Sequence, residues 1–181
     1  MEKKDIRKRV FSLRKQLTEK ELTDNSSIIC QKILESEEYQ NSDTVFVYMD
    51  CKGEVAMKLL LEQAWKEGKK VAAPRVTGPG TMKYYYITSY DDVAPGYYDI
   101  PEPVTTEEAL TEEGLLIVPG VGFDPERHRC GYGQGFYDRY LAANPQHPTI
   151  AVAFEFQMVD QIDINEFDQL PDKLFTEKKN Y

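Results

Sequence analysis

Leu115-Leu116-Ile117-Val118-Pro119-Gly120-Val121-Gly122-Phe123-Asp124 leads through Pro125-Glu126-Arg127-His128-Arg129 into Cys130-Gly131-Tyr132-Gly133-Gln134-Gly135-Phe136-Tyr137-Asp138-Arg139-Tyr140-Leu141, and this stretch decides the fold. Its first four residues form a continuous apolar run, the pattern of a strand buried on both faces. Pro119 and Gly120 close the run, and a long loop follows. Gly131, Gly133 and Gly135 alternate at the far end of that loop. From Phe136 the chain reads as a helix, with Tyr140 and Leu141 returning four and five residues on. The order is strand, loop, glycine-rich turn, helix. Glycines at such a junction let backbone N–H groups come close to an anion, and the helix N-terminus adds partial positive charge. Arg129 stands just before the glycines and Asp138 just after them. A guanidinium suits phosphate oxygens, and a carboxylate suits a magnesium ion carried by phosphate.

Two common phosphate-binding patterns do not fit. The dinucleotide fingerprint G-x-G-x-x-G fails because Phe136 occupies its last position, and no G-x-x-x-x-G-K-[ST] run exists. A lone G-x-G-x-G would serve equally well as a tight turn. Taken whole, however, P-G-V-G-F-D followed by R-C-G-Y-G-Q-G-F-Y-D closely resembles the signature of the 5-formyltetrahydrofolate cyclo-ligase family. That signature runs P-G-hydrophobic-x-F-D, then R-[LI]-G-x-G-x-G-[YF]-Y-D. The chain departs from it at Cys130, where Leu or Ile is usual, and in the spacer 125–128, where the family often has a glycine before the arginine.

Composition narrows the reading. At 181 residues the chain is expected to form one domain, 1–181, with a real core. Lys and Arg number 22 against 31 Asp and Glu, a net charge of -9, which argues against nucleic-acid or anionic-membrane partners. An anionic substrate must then be met by locally placed cations. No apolar run is long enough to span a bilayer, and charges begin at residue 2, so neither a membrane span nor a signal peptide is read. Cys30, Cys51 and Cys130, without a C-x-x-C and with two His in the chain, argue against a zinc site or a disulfide framework. A cytoplasmic setting is expected, with the cysteines as inert packing.

In chain order, residues 2–17 read as an amphipathic helix carrying Ile6, Val10, Leu13 and Leu17. Its polar face is the most basic part of an acidic chain. Thr18-Glu19-Lys20-Glu21 matches a capping box and starts a second helix ending near Ser36. Thr44–Tyr48 reads as a strand, and a helix is expected from Val55 to about Glu67. Glu54 thus falls at the carboxyl end of a strand, where open α/β sheets place ligands; a helix-start carboxylate is the plainer alternative. Val71–Arg75 is expected as a strand ended by Pro74, residues 77–80 as a turn and Met82–Ile87 as a strand. Arg75 reads as a surface residue that could also meet a substrate carboxylate. Residues 88–114 show no persuasive element, and Thr149–Phe154 reads as a further buried strand.

Alternating strands and helices argue an α/β fold with a mostly parallel sheet and helices on both faces. The resemblance implies a three-layer Rossmann-like version of it. It further implies an enzyme, an ATP-dependent carbon–nitrogen ligase that cyclises 5-formyltetrahydrofolate to 5,10-methenyltetrahydrofolate with release of ADP and phosphate. Lys3-x-x-Ile6-Arg7 is similar to the family's N-terminal K-x-x-L-R element, which implies Lys3, Lys4 and Arg7 at the ATP site. Arg129, Cys130, Gly131, Tyr132, Gly133, Gln134, Gly135, Phe136 and Tyr137 complete that implied site, with Arg129 and Asp138 as the catalytic pair. Met49 and Glu54 are implied at the folate site, sharing Tyr132, Gly133, Gln134, Gly135 and Phe136 with ATP. Ile100-Pro101-Glu102-Pro103 resembles a family element and implies that the loop folds over the site. The tail 165–177 resembles the family's ending, so Asp168 and Asp172 join Asp138 as implied magnesium ligands; turn-forming is their alternative role. The implied small-molecule partners are ATP with Mg²⁺ and 5-formyltetrahydrofolate, met by a monomer or weak homodimer. A non-catalytic nucleotide- or folate-binding protein, and an isomerase or CoA-transferase-like enzyme, are the competing classes, since fold does not fix function.

Overall fold

A computed structural model describes residues 1–181. Helix α1 (Lys3–Arg14) buries Ile6 and Val10. It stops three residues before the expected end, where Gln16 and Leu17 N–H bond back to Leu13 and Arg14 carbonyls and tighten the last turn. Helix α2 (Glu19–Leu34) starts at the expected box: Thr18 Oγ1 accepts from Glu21 N at 3.2 Å and Glu21 Oε2 accepts from Thr18 N at 3.0 Å. One further turn, α3 (Glu37–Gln40), precedes strand β1 (Thr44–Phe46).

Helix α4 (Lys58–Lys66) begins three residues later than expected. The backbone from Val55 to Met57 is held by side chains instead, with Met57 already helical at φ -90° and ψ -2° as the N-cap. Tyr48 Oη donates to Val55 O, Ser26 Oγ accepts from Ala56 N, and Asp50 Oδ1 accepts from Met57 N. Strand β2 (Lys70–Gly78) runs straight through Pro74 and pairs antiparallel with β3 (Thr81–Ile87). The expected stop at Pro74 fails because β1 pairs only as far as Ala72. Beyond that point β2 has no strand on its β1 side to receive an N–H, which is where proline is tolerated. The segment without a predicted element holds a small ribbon, β4 (Val93–Pro95) against β5 (Pro101–Pro103). Next come β6 (Leu115–Val118), the short pair β7 (Gly122–Phe123) and β8 (Arg129–Cys130), and α5 (Phe136–Ala143). Strands β9 (Thr149–Val152) and β10 (Lys173–Phe175) end the order.

The main sheet runs β10-β9-β6-β1-β2-β3, and every pair in it is parallel except β2–β3. Its strands alternate between two cores, as a period of two demands. Val45, Ile117, Ile150 and Val152 meet α2 and α4 through Ile29, Ile33, Leu60 and Leu61. Phe46, Leu116, Val118 and Ala151 face the other way, toward Leu141 of α5 and Phe123. The mostly parallel sheet with helices on both faces is therefore observed. A third cluster seats Ile6 and Val10 of α1 on Val121, Cys130, Val159 and Ile162. Gly122 permits that seat, because a Cβ there would lie 2.4 Å from Ile6 Cγ2.

The chain leaves β1 toward β2 on one side and later returns as β6 on the other. Strand order thus reverses at β1, and the crevice at its carboxyl end is the place where such sheets bind ligands.

Candidate active site

Gly135 sits at φ 69° as the N-cap of α5, and Gly133 is at φ 105°. Both values are strained for residues with a side chain, so the two glycines set this turn. None of the backbone N–H groups from Gly133 to Asp138 finds a backbone acceptor. Six consecutive donors, three of them in the first turn of a helix, form an anion cradle.

Cations surround it. Arg7 Nε donates to Gly131 O at 2.8 Å, which lays its guanidinium against Gly133. Arg129 is buried, and its Nη2 donates to Asp138 Oδ1 at 2.8 Å. Lys3 Nζ lies 2.6 Å from both Asp168 oxygens, an ion pair largely shielded from solvent. Lys3, Arg7, Arg129, Gly131–Asp138 and Asp168 all line one cleft of about 870 Å³.

The other part of the cleft is walled by the loop after β1 and by the β4–β5 ribbon. Met49 and Glu54 line it from the loop that follows β1. Glu54 Oε1 accepts from Tyr132 Oη at 2.8 Å and Oε2 from Cys51 N at 3.0 Å. Only 6% of Glu54 is exposed, and burial pushes its carboxyl above the usual range; the Cys51 N–H, Arg14 and Tyr132 pull it back. Tyr97, Tyr98, Ile100, Pro101 and Glu102 line the same cleft, so the β4–β5 ribbon does fold over it. Glu102 Oε1 accepts from Val76 N, and Arg75 Nη1 donates to Pro103 and Thr105 carbonyls. Arg75 is therefore a tie between β2 and the ribbon, stacked 3.7 Å over Tyr85.

One cleft thus joins a row of unpartnered N–H donors, the buried Glu54 carboxylate and the glycine loop between them. A model of the 5-formyltetrahydrofolate cyclo-ligase family matches residues 1–177. The chain belongs to that family. A mouse (Mus musculus) 5-formyltetrahydrofolate cyclo-ligase is 29% identical over 97% of this chain and 93% of its own. That of Escherichia coli K12 is 33% identical over 69% of this chain and 72% of its own. The solution structure of Aquifex aeolicus 5,10-methenyltetrahydrofolate synthetase superposes with a TM-score of 0.86 at 32% identity, covering 98% of this chain and 91% of that one. A 5,10-methenyltetrahydrofolate synthetase from Mycoplasma pneumoniae shares the fold at a TM-score of 0.75 and 22% identity.

Two residues named from the family's elements stand apart from the cleft. Lys4 is exposed and does not line it. Cys130 is buried, its Sγ facing Lys3 O at 3.4 Å, so it packs α1 rather than facing a ligand. Asp172 is a correction. Its Oδ2 accepts from Thr149 N and Oγ1 at 2.8 and 3.0 Å, at the amino end of β9 and away from the cleft at the strands' carboxyl ends. No three His, Cys, Asp or Glu side chains gather as a metal cage. Asp138 nevertheless fits a phosphate-borne ion. It spends Oδ1 on Arg129 and on Gln169 N at 3.2 Å, and Oδ2 takes no protein partner. Asp168 is committed to Lys3 and to Asn165 N.

The altered spacer keeps its loop through Asp124, which is buried and accepts from Glu126 N, His128 N, His128 Nδ1 and Ile162 N. Arg127 takes φ 70° there, the region glycine favours. Sequence reasoning missed Arg14, Gln157 and Phe167. Gln157 is buried and donates to Gly120 and Val121 carbonyls at 3.0 and 2.9 Å, bracing the end of β6. Phe167 is exposed on the cleft wall beside Asp168.

Proposed function

We propose that this chain, folded as one domain, carries out its family's reaction in this cleft. ATP and 5-formyltetrahydrofolate give ADP, phosphate and 5,10-methenyltetrahydrofolate. The observation that carries the reading is the single cleft at the reversal of strand order, which holds both the N–H cradle and the buried Glu54. Lys3, Arg7 and Arg129 meet the triphosphate with the N–H groups of Gly133–Asp138. Glu54 accepts N–H donors from the pterin edge, and Met49 gives the ring a polarizable contact. Tyr132 to Phe136 lie between the ligands and touch both. Cys130 acts by seating α1, and Lys4 contributes only diffuse positive charge.

The formyl oxygen of an amide-like group is a poor leaving group. Its attack on the γ-phosphorus displaces ADP and leaves a carbon–oxygen–phosphorus link. N10 then adds to the activated carbon and loses its proton, and the carbon–oxygen bond breaks to release phosphate. Such transfer depends on positioning and charge stabilisation more than on a protein nucleophile. Arg129 is suited to this task, since its guanidinium is buried and fixed by Asp138. Asp138 is the residue placed to hold Mg²⁺ together with phosphate oxygens, and the ion when bound neutralises the charge on the transferring group. The enzyme is read as a monomer or weak homodimer. Three unpaired cysteines suit a reducing, cytoplasmic setting.

Methenyltetrahydrofolate absorbs in the near ultraviolet. Purified protein with ATP, Mg²⁺ and 5-formyltetrahydrofolate is expected to build that absorbance, with one ADP formed per turnover. ADP formation without the absorbance, or neither signal, rejects the reading.

A further inference from the structure

We infer that Arg14 is a positioning residue, which fixes the Tyr132 hydroxyl and through it holds the Glu54 carboxylate in the orientation that meets the folate's pterin edge. This rests on the folate assignment of Glu54 proposed above.

Arg14 ends α1 and is 7% exposed. Its Nη1 donates to Tyr132 Oη at 2.7 Å and its Nη2 to Gly120 O at 3.2 Å. Its Nε is buried without a partner. Phe11 and Tyr132 stack 5.8 Å apart beside the guanidinium. One side chain thereby touches the glycine loop and the end of β6, and through Tyr132 it reaches the loop after β1. Burying a guanidinium on a hydroxyl and a carbonyl, with a third donor unmet, is costly and demands a return.

The return lies in proton direction. A phenol has one proton, and Arg14 offers only donors. Tyr132 must therefore accept from Arg14 and give its proton to Glu54 Oε1. Cys51 N occupies Oε2, so each carboxylate oxygen keeps a lone pair for ligand N–H groups. The groups facing Glu54 are Arg14 of α1, Tyr48 and Cys51 of the loop after β1, Tyr132 of the glycine loop and Tyr137 of α5. Burial pushes the tyrosines and Cys51 toward their neutral forms, so Arg14 is the cation that works against burial to favour the charged form of Glu54. Residues 3, 7 and 14 fall close to one face of a helix, and Lys3 and Arg14 are about 16 Å apart along it. One rigid helix thus serves both ends of the cleft.

The test measures binding of 5-formyltetrahydrofolate and of ATP, each across pH, for wild type, Glu54→Gln, Arg14→Met and Arg14→Lys. Arg14→Met is expected to weaken folate binding roughly tenfold or more at neutral pH, the worth of a hydrogen bond to a charged group. It is also expected to move the acid limb of folate binding upward by about one unit, the effect of removing an opposite charge. ATP affinity stays near wild type. Arg14→Lys keeps the charge without the two-acceptor fork, so it returns the acid limb toward wild type while folate affinity stays reduced. An unmoved acid limb in Arg14→Met, or equal losses for both ligands, overturns the inference. Where Arg14→Met does not fold, Arg14→Lys decides: wild-type folate affinity overturns it, and weakened folate binding with intact ATP binding supports it. Failure of wild type to bind folate, or full binding by Glu54→Gln, removes the Glu54 assignment instead.

Discussion

Replacing Asp138 by Asn separates two jobs that the structure gives one carboxylate. Its Oδ1 accepts from Arg129 Nη2 at 2.8 Å and from Gln169 N at 3.2 Å, and its Oδ2 takes no protein partner. The amide oxygen of Asn can keep both bonds and loses only the charge. Removing a buried partner outright costs about 3–5 kcal/mol. Asp138 is 23% exposed and the acceptor survives, so the loss is expected to be about 1–2 kcal/mol. For a chain of this size that is a fall of roughly 2–8 °C in melting temperature. The catalytic effect differs in kind. A neutral amide in place of a hard anionic ligand weakens a cation that takes few protein ligands. The Mg²⁺ concentration giving half-maximal methenyltetrahydrofolate formation is expected to rise roughly tenfold, about 1.4 kcal/mol, and excess Mg²⁺ restores part of the turnover. Titrating Mg²⁺ at saturating ATP and folate measures it. An unchanged half-saturating Mg²⁺ with reduced turnover refutes the metal role and leaves Asp138 as the partner of Arg129 alone.

Glu54→Gln must point its amide nitrogen at Tyr132, whose hydroxyl can turn, because the Cys51 N–H cannot; folate binding should weaken by about 1–3 kcal/mol with ATP binding intact. Calorimetric titration of both ligands checks this, and parallel losses reject the separate assignment. Arg127 holds φ 70° and donates to Pro171 O at 3.1 Å, so Arg127→Gly relieves the backbone while Arg127→Ala keeps the strain. Gly is expected to exceed Ala in stability by about 1 kcal/mol, read from urea midpoints, and the reverse order refutes the strain. Burial holds His147 below its ordinary range, and its Nδ1 donates to Gly114 O at 2.9 Å. Protonation then favours the unfolded chain, so its contribution is complete above about pH 6.5 and is lost as pH falls below it. His147→Phe should melt with a flatter pH dependence than wild type between about pH 5 and 7; identical slopes would exclude His147.

Short apolar runs made β1, β6 and β9 legible because each faces two cores at once, with Val45, Ile117 and Val152 one way and Phe46, Leu116 and Ala151 the other, whereas the three-residue edge strand β10 gave no such run. The β4–β5 ribbon was illegible because its two strands are three residues each and carry Pro95, Pro101 and Pro103, and it is held on the sheet by side-chain ties, Glu102 Oε1 accepting from Val76 N and Arg75 Nη1 donating to Pro103 O. Pro74 misled because only the length of β1 decides whether its missing N–H matters. Along α1, Arg14 looked like its basic neighbours, though a spacing of seven places it on the same helix face as Arg7. The carboxylates separate by the same logic of donors met. Asp124, central to the family's motif, accepts four N–H donors across both oxygens and has nothing left for a ligand, so it shapes the loop. Asp172 has a spare oxygen at the wrong end of the sheet. Asp168 could serve a metal only by releasing Lys3. Glu54 and Asp138 both line the cleft and both keep acceptor capacity after their protein donors are counted. A motif tells which acids stand near the chemistry; the donors already on each oxygen tell which acids are free to take part in it.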